Sequence, residues 1–85
     1  MDNYILLKWN NLNEYVFTNE FRRNNMKLVE ELDKLWLETS NKTKEYKLRL
    51  IDVLKKFYDL GVVFQNDFTD EYFNNFEEIK NYILN

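Results

Sequence analysis

The apolar residues of this chain change their period as the sequence advances, and those changes limit its fold more than anything else in it. Tyr4 to Trp9 (YILLKW) is a nearly continuous apolar run of strand-forming residues. Asn10 to Asn13 (NNLN) is turn chemistry, because asparagine side chains bond to nearby backbone and tolerate left-handed conformations. Glu14 to Thr18 (EYVFT) then alternates polar and apolar. Together the three segments predict a β-hairpin with a four-residue loop. The first strand is apolar on both faces, so its expected place is the centre of the sheet.

From about Glu20 to Thr39 the period lengthens to that of a helix. Phe21, Leu28, Leu32, Leu35 and Trp36 fall on one face, and Glu30 precedes Lys34 at the favourable i,i+4 spacing. Ser40 to Thr43 (SNKT) is a break that supplies N-cap residues for a second helix, from about Lys44 to Leu60. Its expected buried stripe is Tyr46, Leu50, Val53, Leu54 and Phe57, with Glu45–Arg49 and Asp52–Lys56 as further i,i+4 pairs. Gly61, the only glycine, stands where a left-handed C-terminal cap belongs.

Val62-Val63-Phe64 opens another strand. Beyond it two readings stay open. In one, Phe64 to Phe73 is a second hairpin turning near Thr69-Asp70, and Asn75-Phe76-Glu77-Glu78 caps a short last helix. In the other, Thr69 caps one longer helix with Tyr72, Phe76, Ile79 and Ile83 on its inner face. We favour the first, for its capping-box spacing and strand propensity. Either way the class is α+β, ordered hairpin, two helices, strand or second hairpin, and C-terminal helix. Residues 1–85 read as one domain, with no repeat or linker.

A domain this small has a thin stability margin, and without cysteine no disulfide staples it. Seven Phe, six Tyr and two Trp supply the buried area instead. The absence of Ala beside abundant Asn, Lys, Tyr, Phe and Ile is what AT-rich coding sequence produces, so the asparagine pairs are not read as binding devices.

The chemical inventory argues against catalysis. There is no His or Cys, and Ser40 is the only serine. Triads, thiolate–metal sites and redox motifs are thereby excluded, leaving carboxylates and lysines on a chain with little room for a deep cleft. Asp67, Asp70 and Glu71 lie close together but lack the spacing of a calcium loop, so no metal or cofactor is expected. No apolar run approaches the roughly 18 residues of a membrane span, and Met1-Asp2-Asn3 is not the start of a signal peptide. The expected compartment is the cytoplasm. Asn41-Lys42-Thr43 is then a chance match to a glycosylation acceptor.

Charge is distributed unevenly around a net −3. Lys42, Lys44, Lys47, Arg49, Lys55 and Lys56 make the second helix basic against Glu45 and Asp52. Asp59, Asp67, Asp70, Glu71, Glu77 and Glu78 make the C-terminal segment acidic against Lys80 alone. Mutual attraction within the fold and a solvated face is the bland explanation. The sharper one is an acidic surface of Asp67, Asp70, Glu71, Glu77 and Glu78 that docks on a basic protein. A nucleic-acid interface would use Arg22, Arg23, Lys27 and the basic helix, but that helix's cations straddle its apolar stripe as snorkelling edge residues do. Met26, Leu37 and Leu48 fall outside the core pattern. Met26 and Leu37 share the side of the first helix away from its stripe, and if Leu48 joins them they make a patch for a partner or a homodimer.

Leu7-Lys8-Trp9 and the ending Glu77-Glu78-x-Lys80-x-Tyr82-Ile83 look like pieces of small phage proteins. With its small size, acidity and compact α+β pattern, the chain resembles small phage-encoded inhibitors of host or defence proteins, anti-CRISPR proteins among them. The resemblance implies stoichiometric binding of a protein partner, itself a handler of nucleic acid, in the host cytoplasm. Some such inhibitors present acidic surfaces that imitate a nucleic-acid backbone.

Overall fold

The computed structural model describes residues 3–8, 11–38 and 43–85, with the backbone alone at 11 and 13. Its elements run β1 (Tyr4–Lys8), β2 (Asn11–Val16), α1 (Asn19–Asn24), α2 (Met26–Leu37), α3 (Lys44–Asp59), β3 (Val63–Asn66) and α4 (Phe76–Leu84). The sheet order is β2-β1-β3, with β1 antiparallel to β2 and parallel to β3. The α+β class and the central place of β1 agree with the sequence pattern. Trp9, Asn10, Ser40 and the triplet's Asn41 and Lys42 lie outside the described residues.

The hairpin differs from its expected form. Lys8 already pairs with Asn11, so β2 begins inside the stretch expected to be loop. The ladder then slips: Leu7 faces Leu12 but Leu6 faces Glu14, leaving Asn13 as the extra residue of a bulge. The bulge has a clear consequence. Paired residues share a face, so Leu12 joins Leu7, and Tyr15 joins Ile5, on the same side. Without the extra residue, Leu12 and Tyr15 would fall on opposite faces. The slip lets β2 contribute Leu12 and Tyr15, with Phe17 directly after it, to one core.

The single helix expected over Glu20–Thr39 is two helices joined at Asn25, whose φ of −131° and ψ of 36° leave the helical region. The Asn25 side-chain amide donates to the Phe21 carbonyl at 3.1 Å, the same oxygen that takes the Asn25 backbone N–H at 3.0 Å. Such back-bonding by asparagine competes with the helix and bends it. The bend re-aims the two halves. Phe21 turns toward Phe17 (ring centroids 4.8 Å apart), while Val29, Leu32 and Leu35 of α2 enter the core. Trp36, expected in that stripe, is 41% exposed and meets the Tyr15 ring edge-on. Val29, two turns before Trp36 on nearly the same side of α2, is buried instead.

All five residues of the expected α3 stripe are buried, with Ile51 beside them. Thr43 caps α3 by accepting from the Tyr46 N–H at 3.2 Å. At the other end Gly61 N–H donates to Tyr58 O and Val62 N–H to Phe57 O. With Leu60 as C-cap, these two bonds form a Schellman stop, and Val62 and Phe57 are both buried. Gly61 has φ +90°, and a β-carbon there would meet nothing within 4 Å. The cost of a side chain is therefore backbone strain alone. We expect Gly61→Ala to lose about 1–2 kcal/mol in urea unfolding, and Gly61→Asn to lose less. Equal midpoints for Ala and Gly would show that the stop does not need the left-handed turn.

After β3 the chain turns through 67–71 and returns beside it. Gln65 bridges Tyr72, and the Phe73 N–H donates to Phe64 O at 2.9 Å. Asn75 then accepts from Glu78 N–H at 3.0 Å, and Glu78 accepts from Asn74 N–H at 3.1 Å. This is the hairpin-and-capping-box reading, rather than one long helix.

Ile5, Leu7, Leu12 and Phe64 share one buried cluster with Leu32, Leu50, Leu54, Phe57, Ile79 and Ile83. Tyr4, Leu6, Val16, Val63 and Gln65 take no part in it. The helices therefore cover one face of the sheet.

Candidate interaction surfaces

The turn after β3 gathers three of the five singled-out acids. Asp67, Asp70 and Glu71 lie within it, around Phe68, which is 58% exposed. Its backbone is pinned from several sides. The Asn66 side chain accepts from Phe68 N–H at 2.8 Å, Asp70 N–H donates to Asn66 O at 2.8 Å, and the Gln65 amide donates to Asp70 O at 3.0 Å. Asp70 has φ 59°, a left-handed conformation that aspartate tolerates better than most residues. Lys8 Nζ stands 5.9 Å from the centre of the Phe68 ring. Glu77 and Glu78 are placed apart from this turn, in the first turn of α4, where carboxylates complement the helix dipole. The contact of Phe76 with Tyr58, 5.5 Å between ring centres, sets that turn beside the end of α3.

Some of the basic residues are engaged within the chain. The Arg22 guanidinium lies 5.8 Å from the centre of the Phe17 ring, while Arg23 and Lys27 are exposed. Arg49 pairs with Glu38, the C-cap of α2, at 3.4 Å, not with Glu45. Lys55 pairs with Asp59 at 2.7 Å and stands over both Tyr58 and Phe76. The expected pairs Glu30–Lys34 and Asp52–Lys56 are not among the ion pairs of the described residues. Lys34, Lys56 and Arg49 instead line a shallow cleft of about 210 Å³ between α2 and α3, with Glu31 and Asp52 between them. Three cations interleaved with two anions do not make a phosphate-tracking surface.

Met26, Leu37 and Leu48 are all exposed. Met26 and Leu37 share a side of α2 but stand at its two ends, about 16 Å apart at 1.5 Å per residue. The expected closeness was angular only. Tyr46 Oη donates to Leu35 O at 2.8 Å, so Leu37 and Leu48 belong to the same end of the α2–α3 pair and Met26 to the other.

A surface not singled out in the sequence is the uncovered side of the sheet. Register places Val16, Tyr4 and Val63 in one row across it, and Glu14, Leu6, Gln65 and Tyr72 in the next. Lys8 follows Leu6 on the same side of β1. Val63 is 42% and Tyr72 62% exposed, while Tyr4, Leu6 and Val16 are half-buried. The signal was present in the unbroken apolar run of β1, which reads as a strand covered on both faces.

Two tyrosines tie the helical layer together. Tyr15 Oη donates to the Asp33 carboxylate, and burial followed by that bond pushes its ionisation well above the ordinary tyrosine range. Burial, with the Glu38 charge adding to it, raises Tyr46 in the same direction.

Among the described residues, these features define a small two-layer α+β module with four helices on one side of a three-stranded sheet. No family model, curated protein or solved structure matches the chain. No helix among the described residues is long and apolar enough to cross a membrane.

Proposed function

We propose that this chain is a non-catalytic protein-binding module, a cytoplasmic stoichiometric inhibitor of the phage-encoded kind, acting on a protein that handles nucleic acid. The observation that carries the reading is the pinned turn at 67–71. It holds Asp67, Asp70 and Glu71 around an exposed Phe68 in a conformation fixed before any partner arrives. An ordered aromatic that shares its turn with three carboxylates suits a basic surface with an apolar pocket, which takes over the ring from Lys8, and preorganisation removes the entropy cost of ordering the loop. Glu77 and Glu78 contribute to the same negative field, although Glu78 is also held in the cap of α4.

The test is capture from nuclease-treated host lysate, followed by calorimetry with the retained protein. Phe68→Ala is expected to weaken binding about 30-fold or more, as loss of a hot-spot anchor does. The reversal Asp67→Lys, Asp70→Lys, Glu71→Lys should abolish capture with the circular-dichroism melt retained. Binding that survives both changes rules the turn out as the contact.

A further inference from the structure

We propose that the Phe68 ring is the seat for an arginine side chain of the partner, and that Lys8 occupies this seat until the partner arrives. The seat presupposes that the 67–71 turn is the contact, and it adds the chemistry which that contact recognises.

Lys8 is the last residue of β1 and is exposed, and its Nζ stands 5.9 Å from the centre of the Phe68 ring. Sheet geometry brings the two together. Leu7 pairs with Asn66, and the Asp67 N–H donates to Leu7 O at 2.9 Å, so the turn leaves β3 beside Lys8. The same register carries Asp67 into the row of Lys8, yet among the described residues Lys8 is in neither ion pair. Its ammonium is over the ring instead.

The quadrupole of the ring draws a cation to its face, and Asp67, Asp70 and Glu71 in the same turn add their charge to that attraction. An aliphatic or aromatic side chain on the ring would press an apolar contact against three carboxylates and give them no counter-charge. A guanidinium meets both demands. It stacks on an aromatic face, and its N–H groups fork to carboxylates. It is also more weakly hydrated than the Lys8 ammonium, so it loses less on leaving water. Lys8 is then a competitor within the chain. Its contact lowers the apparent affinity of the turn in proportion to the time that the ring is covered. The flexible stem of Lys8 lets the ammonium swing into solvent without moving β1.

NMR titration with a hexaarginine peptide at physiological ionic strength tests this. In the free chain the Lys8 ε-methylene protons should carry a ring-current shift from Phe68, and they should lose it as the peptide is added. Lys8→Met removes the charge and is expected to bind the peptide about 2–5-fold more tightly, the worth of an exposed cation–π contact. Lys27→Met removes the same charge from an exposed position on α2, so its smaller gain measures the effect of net charge alone. Phe68→Leu keeps an apolar side chain without the ring, and should abolish the gain from Lys8→Met in the doubly changed chain. Three results overturn the proposal: Lys8→Met binding no more tightly than Lys27→Met, a gain that persists with Phe68→Leu, or a peptide that leaves the Phe68 ring resonances unmoved. Each is compatible with Phe68→Ala still weakening the protein retained from lysate, so the arginine seat and the role of the turn fail separately.

Discussion

Phe57→Ala is expected to leave the chain without a cooperative folded state at physiological temperature. Phe57 is fully buried on α3, and its ring stacks on Phe17 at 5.2 Å with 8° between planes, with Phe21 at 6.1 Å. Those contacts join the hairpin, the first helix and the long helix at one point. The Phe57 carbonyl also accepts from Leu60 and Val62 N–H in the Schellman stop, which launches β3. Truncating a buried phenylalanine costs about 3–5 kcal/mol. A chain of 85 residues has roughly 4–13 kcal/mol in total, at about 0.05–0.15 per residue. The lost fraction is therefore roughly a quarter or more of the whole, and the melting temperature should drop by roughly 15 °C or more. Circular-dichroism melts with a urea titration decide it. A variant melting within a few degrees of wild type would show that the three stacked rings are not what unites the layers.

The helical stripe that contains Phe57 was legible because it is regular. A 3.6-residue period over sixteen residues, a threonine before it and the one glycine after it agree on the same element. The features that escaped are local exceptions to a period. Asn25 bends one helix into two through a single side-chain bond to Phe21 O, and the sequence shows there only another asparagine pair. Asn13 shifts the ladder by one residue, which no alternation rule anticipates when the extra residue is polar and lies in turn-like sequence.

The surfaces were legible to different degrees. Acids in a turn are visible as composition, and the fold brings Asp67, Asp70 and Glu71 together because that turn is short. Glu77 and Glu78 belonged to the same charge run but sit on α4, where capping and the helix dipole already account for them. The uncovered sheet face could not be read from one strand. A strand apolar on both sides predicts cover on both sides, and only the topology shows that every helix went to one.

Stability should fall steeply above pH 10, with two tyrosines responsible for part of the slope. Tyr46 is 8% exposed and gives its hydroxyl proton to Leu35 O, and Tyr15 gives its own to Asp33. Both ionise at higher pH in the folded chain than the ordinary value of 10.0. Above that value the unfolded chain releases these protons while the folded chain keeps them, so unfolding gains with each further rise in pH. The stabilisation is complete below about pH 10 and is lost as pH climbs toward the raised folded values, at up to about 1.4 kcal/mol per pH unit for a fully buried group. Each tyrosine contributes only over the interval by which its ionisation is raised, and partial exposure reduces the slope further. Urea unfolding of wild type and Tyr46→Phe at matched pH separates the contributions. The variant should be less stable by about 1 kcal/mol at neutral pH, for the lost hydrogen bond. It should also lose stability less steeply above pH 10, so that the two curves converge. Parallel curves would mean that the Tyr46 hydroxyl ionises as readily in the folded chain as in the unfolded one.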